Sequence, residues 1–336
     1  MEKRCLVTGG CGFIGSNLSK RLLGDGWKVD VVDDLSSGHL ELLSSIKFRT
    51  VPIDLLREFE RSGAKIPEGG ALVIQGDFSH PYILENIKQK RYDVVFHQAA
   101  IPRVLFSVEN PGITTDVNVA GTVRLLEACR DSVRRVVLAS SSSVYGGSEN
   151  LPTSERESKN PKSPYAWQKS AIEDIASMFG SLYGLDIICL RYFNVFGPGQ
   201  YGDSPYSTAV SAWCHAIKNC STLRSDGDGS QSRDMCYIDN VILANILASK
   251  SDKTFLGECY NVSCGDRTTN REILDYLLEK YPHALVRDAP WRQGDVMHTQ
   301  ADISKIKEDL GYEPLVKFWD GLERTITWWG LEDVSI

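Results

Sequence analysis

The sequence predicts an α/β protein built on a doubly wound parallel sheet, followed by a smaller mixed α/β portion. Three observations carry this expectation. Short apolar runs alternate with amphipathic stretches from the start of the chain to about residue 194. A glycine-spaced turn directly follows the first run. Beyond Asn194 the alternation stops, and Gly, Pro, Ser and Asp cluster between mixed elements.

The runs are Cys5-Leu6-Val7, Val29-Asp30-Val31-Val32, Ala71-Leu72-Val73-Ile74, Val94-Val95-Phe96, Val136-Val137-Leu138 and Ile187-Ile188-Cys189-Leu190. Each is rich in β-branched or apolar residues and too short for a helix. Helical patterns lie between them at 14–23, 115–130 and 165–183. Strands alternating with helices imply right-handed crossovers and a parallel sheet covered on both faces. Residues 47–70 fit this rhythm poorly, holding Pro52, Pro67, Gly69-Gly70 and the charged Arg57-Glu58-Phe59-Glu60-Arg61. They read as an insertion ahead of the third strand, with room for a short helix. After Asn194, Gly197-Pro198-Gly199-Gln200 and Asp226-Gly227-Asp228-Gly229-Ser230 mark turns, and Trp328-Trp329 is expected to plug a core. The expected division is 1–194, receiving a later segment at about 232–262, and 195–336.

Composition bounds the function. The chain has 336 residues, 42% hydrophobic and 24% charged, which excludes disorder and fibre. A net charge of −7 argues against wrapping nucleic acid or coating an anionic membrane. The N-terminal residues reach a glycine cluster at once, so no signal-peptide apolar region is expected, and no run approaches the roughly 18 residues of a membrane span. The nine cysteines are scattered without CxxC spacing, and the six histidines are equally dispersed. Reduced thiols packed as small hydrophobes are expected, with no metal site, in a soluble cytoplasmic protein.

Thr8-Gly9-Gly10-Cys11-Gly12-Phe13-Ile14-Gly15 closes the first strand and opens the first helix. Glycines 9, 12 and 15 allow close backbone approach to a pyrophosphate, while the helix N-terminus offers N–H groups and a favourable dipole. Spaced glycines also serve ordinary turns; the second strand supplies context. Asp33 ends it, 18 residues beyond Gly15, where a carboxylate accepts from a ribose 2′-OH and repels a 2′-phosphate. NAD is therefore expected over NADP, with Asp34 an adjacent competitor for that role.

Tyr165-Ala166-Trp167-Gln168-Lys169 puts Tyr165 and Lys169 at i and i+4 on one helix face, after a Ser163-Pro164 start. A phenol titrates near 10 when unperturbed, and a neighbouring ammonium favours the phenolate. Tyr165 is thus a candidate general base, although such pairs also occur by accident on exposed helices. Ser140-Ser141-Ser142-Ser143 lies at the carboxyl end of the strand containing Val136, where open α/β sheets bind ligands. These hydroxyls can donate and accept, and a serine-rich turn is the plainer alternative.

Together these motifs resemble the extended short-chain dehydrogenase/reductase superfamily, in its NAD-dependent sugar-nucleotide epimerase and dehydratase branch. His97-Gln98-Ala99-Ala100, Asn118-Val119-Ala120-Gly121-Thr122, Leu190-Arg191-Tyr192-Phe193-Asn194, Ser232-Arg233-Asp234 and Arg292-Gln293-Gly294-Asp295 extend the likeness over residues 3–325, with 47–70 as the main gap. The resemblance implies a Rossmann-like first domain in which Gly9, Gly12, Phe13, Ile14, Gly15, Asp33, Asp77, Ala99, Tyr165 and Lys169 contact NAD. It implies Ser141, Tyr165 and Lys169 as catalytic residues. Asn194, Arg233, Arg292 and Asp295 would hold a UDP moiety in the smaller domain, with Ser142, Ser143 and Thr299 beside the sugar.

Dehydratases of the superfamily carry Asp-Glu directly after the catalytic Thr, and uronate decarboxylases typically have Glu at the second of those places. Here they are Ser142 and Ser143, which leaves epimerisation through transient oxidation at C4. A bulky tyrosine limits space beside the sugar's C2 in UDP-glucose/galactose enzymes, and Thr299 stands at that position. The segments around Thr299 and Arg233 look closest to the UDP-N-acetylglucosamine 4-epimerase group. UDP-glucuronate and UDP-glucose 4-epimerases remain alternatives, the former favoured if Arg103 meets a carboxylate; a non-catalytic NAD-binding regulator is a remote one. The family likeness also implies a homodimer through a four-helix bundle of helices near 112–130 and 165–184.

Overall fold

The structure is a computed structural model that describes residues 3–202, 208–291 and 296–332. In chain order it begins β1 (Arg4–Thr8), α1 (Phe13–Gly24), β2 (Lys28–Asp33), β3 (Phe48–Pro52), α2 (Leu56–Arg61), β4 (Ala71–Gln75), α3 (Pro81–Lys88) and β5 (Val94–His97). There follow α4 (Val104–Glu109), α5 (Pro111–Thr115), α6 (Thr122–Cys129), β6 (Arg135–Ser141), α7 (Pro164–Tyr183) and β7 (Ile187–Tyr192). The remainder comprises β8 (Asn194–Phe196), α8 (Ala209–Lys218), β9 (Leu223–Asp226), β10 (Ser232–Arg233), β11 (Met235–Tyr237), α9 (Ile238–Lys250) and β12 (Leu256–Val262). Last come β13 (Thr268–Thr269), α10 (Asn270–Lys280), β14 (Val286–Ala289), α11 (Ser304–Leu310) and α12 (Phe318–Trp329).

The chain divides into two compact units, the first formed by Met1–Ser140, Ser163–Leu190 and Ala244–Cys259, the second by Ser141–Lys162, Arg191–Leu243 and Tyr260–Ile336. One eight-stranded sheet runs β12-β7-β6-β5-β1-β2-β4-β3. The strands from β3 to β6 pair in parallel, as the βαβ rhythm requires. The chain winds outward from β1 through β2 to β4, then returns to place β5 on β1's other side. Such a reversal, here at the carboxyl ends of β1 and β5, is where open α/β sheets bind ligands. Leu6, Val32, Leu72, Val95 and Val136 pack with Ile83, Leu125, Leu126, Ile172 and Ala176 into one buried cluster. Arg135 is also buried, its charge met by Asp186 at 2.6 Å and by the carbonyls of Ala248 and Ser251 at 2.7 and 2.8 Å. These bonds tie the C-terminal turn of α9 and the residue after it to the base of β6.

Three expectations need correction. Residues 47–70 are not outside the sheet: β3 pairs in parallel with β4 from Phe48↔Ala71 to Pro52↔Gln75 and forms its edge. A terminal proline is tolerated there because an edge strand has one side without a ladder partner; the predicted short helix is α2. The pattern at 115–130 is not one α-helix, since Asp116–Gly121 takes the wider π turn between α5 and α6. Finally, only Trp329 plugs the core at 6% exposure, whereas Trp328 is 40% exposed.

In the second unit, β8 pairs in parallel with β11, β9 with β14, and β10 runs antiparallel to β13. Asp234, between β10 and β11, is fully buried. Its carboxylate accepts from Ser263 Oγ at 2.5 Å and from the N–H groups of Ala301, Gly265 and Cys264 at 2.9, 3.1 and 3.2 Å. One side chain thereby pins the 263–265 turn and the 301 segment to the link between β10 and β11.

Candidate active site

The glycine turn has no room for a side chain at Gly9 or Gly15. Gly9 sits at φ +66°, and a Cβ there would lie 2.8 Å from the Cα of Ala99, just beyond β5. A Cβ on Gly15 would lie 2.1 Å from the carbonyl oxygen of Gly9. Gly12 caps α1 without a side-chain hydrogen bond, so Phe13, Ile14 and Gly15 begin the helix with no side-chain acceptor at its cap. A helix N-terminus without a side-chain cap, behind a turn that excludes side chains at Gly9 and Gly15, fits a pyrophosphate. Asp33, buried at the end of β2, accepts from Cys11 N–H at 2.8 Å and Leu35 N–H at 2.9 Å, which fixes its carboxylate beside the turn. Burial pushes its carboxyl above the usual range. Asp34 instead turns to Ser36, bonding its N–H and hydroxyl at 2.9 and 2.7 Å. Asp77, exposed after β4, accepts from Ser79 N–H at 2.7 Å.

Beneath the turn, His97 is buried between the hydroxyls of Thr8 at 2.7 Å and Thr122 at 2.9 Å. Burial, with the charge of Lys169 second, pushes its ring down to about 3, so it is neutral. Thr8 Oγ1 also accepts the Ala99 N–H at 3.1 Å. A lone histidine that looked like a family marker is thus the bolt joining β1, β5 and α6.

α7 starts as read: Ser163 Oγ accepts from Ala166 N–H at 3.2 Å, and Pro164 occupies the first turn. Lys169 is buried and donates from Nζ to the Ala139 carbonyl on β6 at 2.7 Å. The ammonium lies 5.9 Å from the centre of the Tyr165 ring. Burial draws the lysine down to about 8, against the opposing charge of Glu173. Gln168 beside it is buried, accepting from Asn118 at 2.8 Å and donating to Thr114 at 2.8 Å. Asn118 bonds both ways to the Ile101 backbone, at 2.7 and 3.1 Å. The π turn aims Asn118 here, and periodicity alone could not reveal it. Ser140, read with Ser141, Ser142 and Ser143 as a candidate ligand hydroxyl, instead donates to Glu173; Glu173 itself goes unread in the sequence, where a Glu in the apolar face of a helix is the available signal.

The remaining predicted residues belong to the second unit. Ser141 ends β6, and its Oγ accepts from Ser143 N–H at 3.2 Å, capping the short 3₁₀ turn Ser142–Tyr145. The buried Ser143 Oγ has no hydrogen-bond partner among the described residues, a hydroxyl left for something else to satisfy. Thr299 is half-buried; its Oγ1 accepts from Asp234 N–H at 3.2 Å and donates to Asn194 Oδ1 at 3.5 Å. Arg233 spends Nη1 on the carbonyls of Ser232 and Met297, at 2.9 and 3.2 Å. Arg292 and Asp295 lie outside the described residues. Arg103 is exposed at the start of α4. The described residues contain no cluster of metal ligands and no helix long and apolar enough to cross a membrane.

Comparison with known proteins places this geometry. Residues 5–263 match the NAD dependent epimerase/dehydratase family. A UDP-glucose 4-epimerase of Mycolicibacterium smegmatis is 36% identical over 96% of this chain and 97% of its own. A UDP-glucuronate 4-epimerase of Thermodesulfobacterium geofontis is 33% identical, over 96% and 95%. Among solved structures, the UDP-N-acetylglucosamine 4-epimerase of Methanobrevibacter ruminantium M1, in complex with UDP-N-acetylmuramic acid, superposes with a TM-score of 0.85. It shares 32% identity and covers 98% of this chain and 99% of that one.

Proposed function

Because the chain belongs to the NAD-dependent epimerase/dehydratase family, with NAD as its cofactor, we propose that it is a UDP-sugar 4-epimerase interconverting UDP-N-acetylglucosamine and UDP-N-acetylgalactosamine. The observation that carries the activity is the buried Lys169 ammonium, fixed on Ala139 and set against the Tyr165 ring. NAD, when bound on the glycine turn and Asp33, supplies the reversible hydride acceptor for C4. Tyr165 takes the proton of the sugar 4-OH and returns it after the 4-keto sugar has turned over. Lys169 favours the phenolate that does so. Ser141 offers a hydroxyl to the same oxygen, and Ser142 and Ser143 contact the sugar. Asn194, Arg233, Arg292 and Asp295 hold the UDP, so the sugar turns while its diphosphate stays; a planar, permanently charged guanidinium suits that task. Asp77 and Ala99 complete the cofactor's surroundings.

Acetylated substrate is favoured by Thr299, a small residue already anchored on Asn194 and the Asp234 backbone. A bulky ring there would occupy the space an N-acetyl group needs. The first unit would then carry NAD and the second the nucleotide sugar. We also propose a homodimer through the helices near 112–130 and 165–184, since α7 exposes Trp167, Met178, Leu182 and Tyr183 and α5 exposes Ile113. Sedimentation of the purified protein at twice the chain mass supports this, and a monomer at micromolar concentration refutes it.

The test of function is a proton NMR time course with UDP-N-acetylglucosamine, UDP-glucuronate and UDP-glucose in separate tubes, first without added cofactor and then with NAD. Growth of the UDP-N-acetylgalactosamine anomeric signal, fastest of the three products, is expected. Faster conversion of either other sugar removes the acetyl assignment, and no conversion of any removes the activity.

A further inference from the structure

The catalytic stripe of α7 does not stop at Lys169. Tyr165, Lys169 and Glu173 follow one another at i, i+4 and i+8, on a single helix face. Glu173 is 2% exposed, and a buried carboxylate needs a partner that repays its lost hydration. Part of the answer is Ser140, itself buried, whose hydroxyl donates to Glu173 Oε1 at 2.5 Å. Adjacent residues of β6 therefore grip adjacent turns of α7, with the Ala139 carbonyl on Lys169 and the Ser140 hydroxyl on Glu173. A neutral serine cannot by itself justify a buried negative charge, and a glutamine or leucine would pack this face with less desolvation.

We propose that Glu173 is a positioning residue for the reaction: pinned by Ser140, its carboxylate keeps Lys169 an ammonium, so that the lysine can act on Tyr165. The inference rests on the reading of Tyr165 and Lys169 as the proton-handling pair. The groups facing Lys169 make the need plain. From β5 comes His97, neutral and unable to help. From β7 comes the buried Cys189 thiol, which supports the cation less than Glu173 does. From β6 come only the Ala139 dipole and the Ser140 hydroxyl, the latter already turned to Glu173. On α7 itself stand Tyr165 and Glu173. Burial opposes the lysine's charge and is the largest influence on it, with Glu173 the foremost group on the other side. Ser140 fixes the carboxylate so that its charge falls on the lysine without rotating away.

The experiment compares the pH dependence of kcat in the wild type with Glu173→Gln, Glu173→Asp and Ser140→Ala. The wild-type rate should fall above roughly pH 8 as Lys169 loses its proton. Glu173→Gln keeps the shape and an acceptor for Ser140 but removes the charge, and should move that alkaline limb down by about one pH unit. At pH 7.5 this reads as a roughly threefold loss that largely recovers near pH 6. Glu173→Asp should hold the limb within about 0.3 unit of wild type, because the charge is kept. Ser140→Ala should fall between the two, and it decides the matter if Glu173→Gln does not fold. A loss equal at every pH, with the limb unmoved, would reduce Glu173 to a packing role and overturn the proposal.

A second readout does not depend on turnover. The Lys169 side-chain resonance in lysine-labelled protein, identified by its loss in Lys169→Met, should titrate lower in Glu173→Gln than in the wild type. If the wild type converts no UDP-sugar, the activity reading has failed. An unshifted Lys169 titration contradicts the Glu173 inference, whatever the fate of that reading.

Discussion

The candidate-site residues of the first unit and those of the second meet their polar needs differently. In the first, the chain itself satisfies the buried polar groups around the glycine turn and the start of α7: Thr8–His97–Thr122, Asn118–Gln168, Ser140–Glu173 and Lys169 on Ala139 form closed networks. In the second, one buried carboxylate, Asp234, builds the frame, yet the buried Ser143 hydroxyl has no partner among the described residues. A closed network fixes geometry before any ligand arrives, which suits a step every relative must share. An open hydroxyl leaves a bond for a ligand to complete, which suits a site where substrates differ between relatives.

This contrast can be broken in four places. The largest effect belongs to Tyr165→Phe, which should lower kcat by about 10³-fold, or about 4 kcal/mol, while NAD stays bound. Steady-state rates and the NAD released on denaturation check both halves, and a rate within tenfold of wild type would remove Tyr165 from the chemistry. Next comes Gly15→Val, whose Cβ meets the Gly9 carbonyl at 2.1 Å. It should purify without NAD and forfeit ligand stabilisation of about 2.7 kcal/mol at a hundredfold excess over Kd, seen as no rise in Tm on adding NAD. A normal NAD-dependent rise would show that the cradle is not where the cofactor sits.

The third effect concerns acid. His97 is held to about 3 in the folded chain against 6.5 as an ordinary histidine. Below pH 6.5 the unfolded chain binds a proton that the folded one refuses, so stability falls as pH falls, by about 2 kcal/mol between pH 6.5 and 5. Urea unfolding at those two pH values should show a shallower loss in His97→Asn, and parallel losses would deny His97 this role. The smallest effect is Thr299→Tyr, which should cut kcat/KM for UDP-N-acetylglucosamine about tenfold more than for UDP-glucose. Equal losses would mean that Thr299 does not set the choice.

The same contrast explains what could be read from residues alone. The β1 turn, the Asp33 carboxylate and the start of α7 are local: glycine at a crowded turn, an acid ending a strand, Ser-Pro opening a helix. Spacing carries such features, and the structure places them as read. β3 escaped because an edge strand with partly exposed residues and a terminal proline lacks the apolar run that marks its neighbours. The π turn at Asp116–Gly121 escaped because one extra residue per turn hardly disturbs a helical pattern. Ser140–Glu173 and the Asp234 hub join residues 33 and 67 positions apart. Such links depend on which strand lies beside which helix, and no local pattern records that.

The most direct test of the account follows deuterium placed at C4 of UDP-N-acetylglucosamine through a full conversion in ordinary water. Reversible removal and return of the C4 hydride within one active site predicts product that keeps its deuterium at C4, formed with a primary isotope effect on kcat. Product that has exchanged C4 deuterium for solvent hydrogen would contradict transient oxidation at C4.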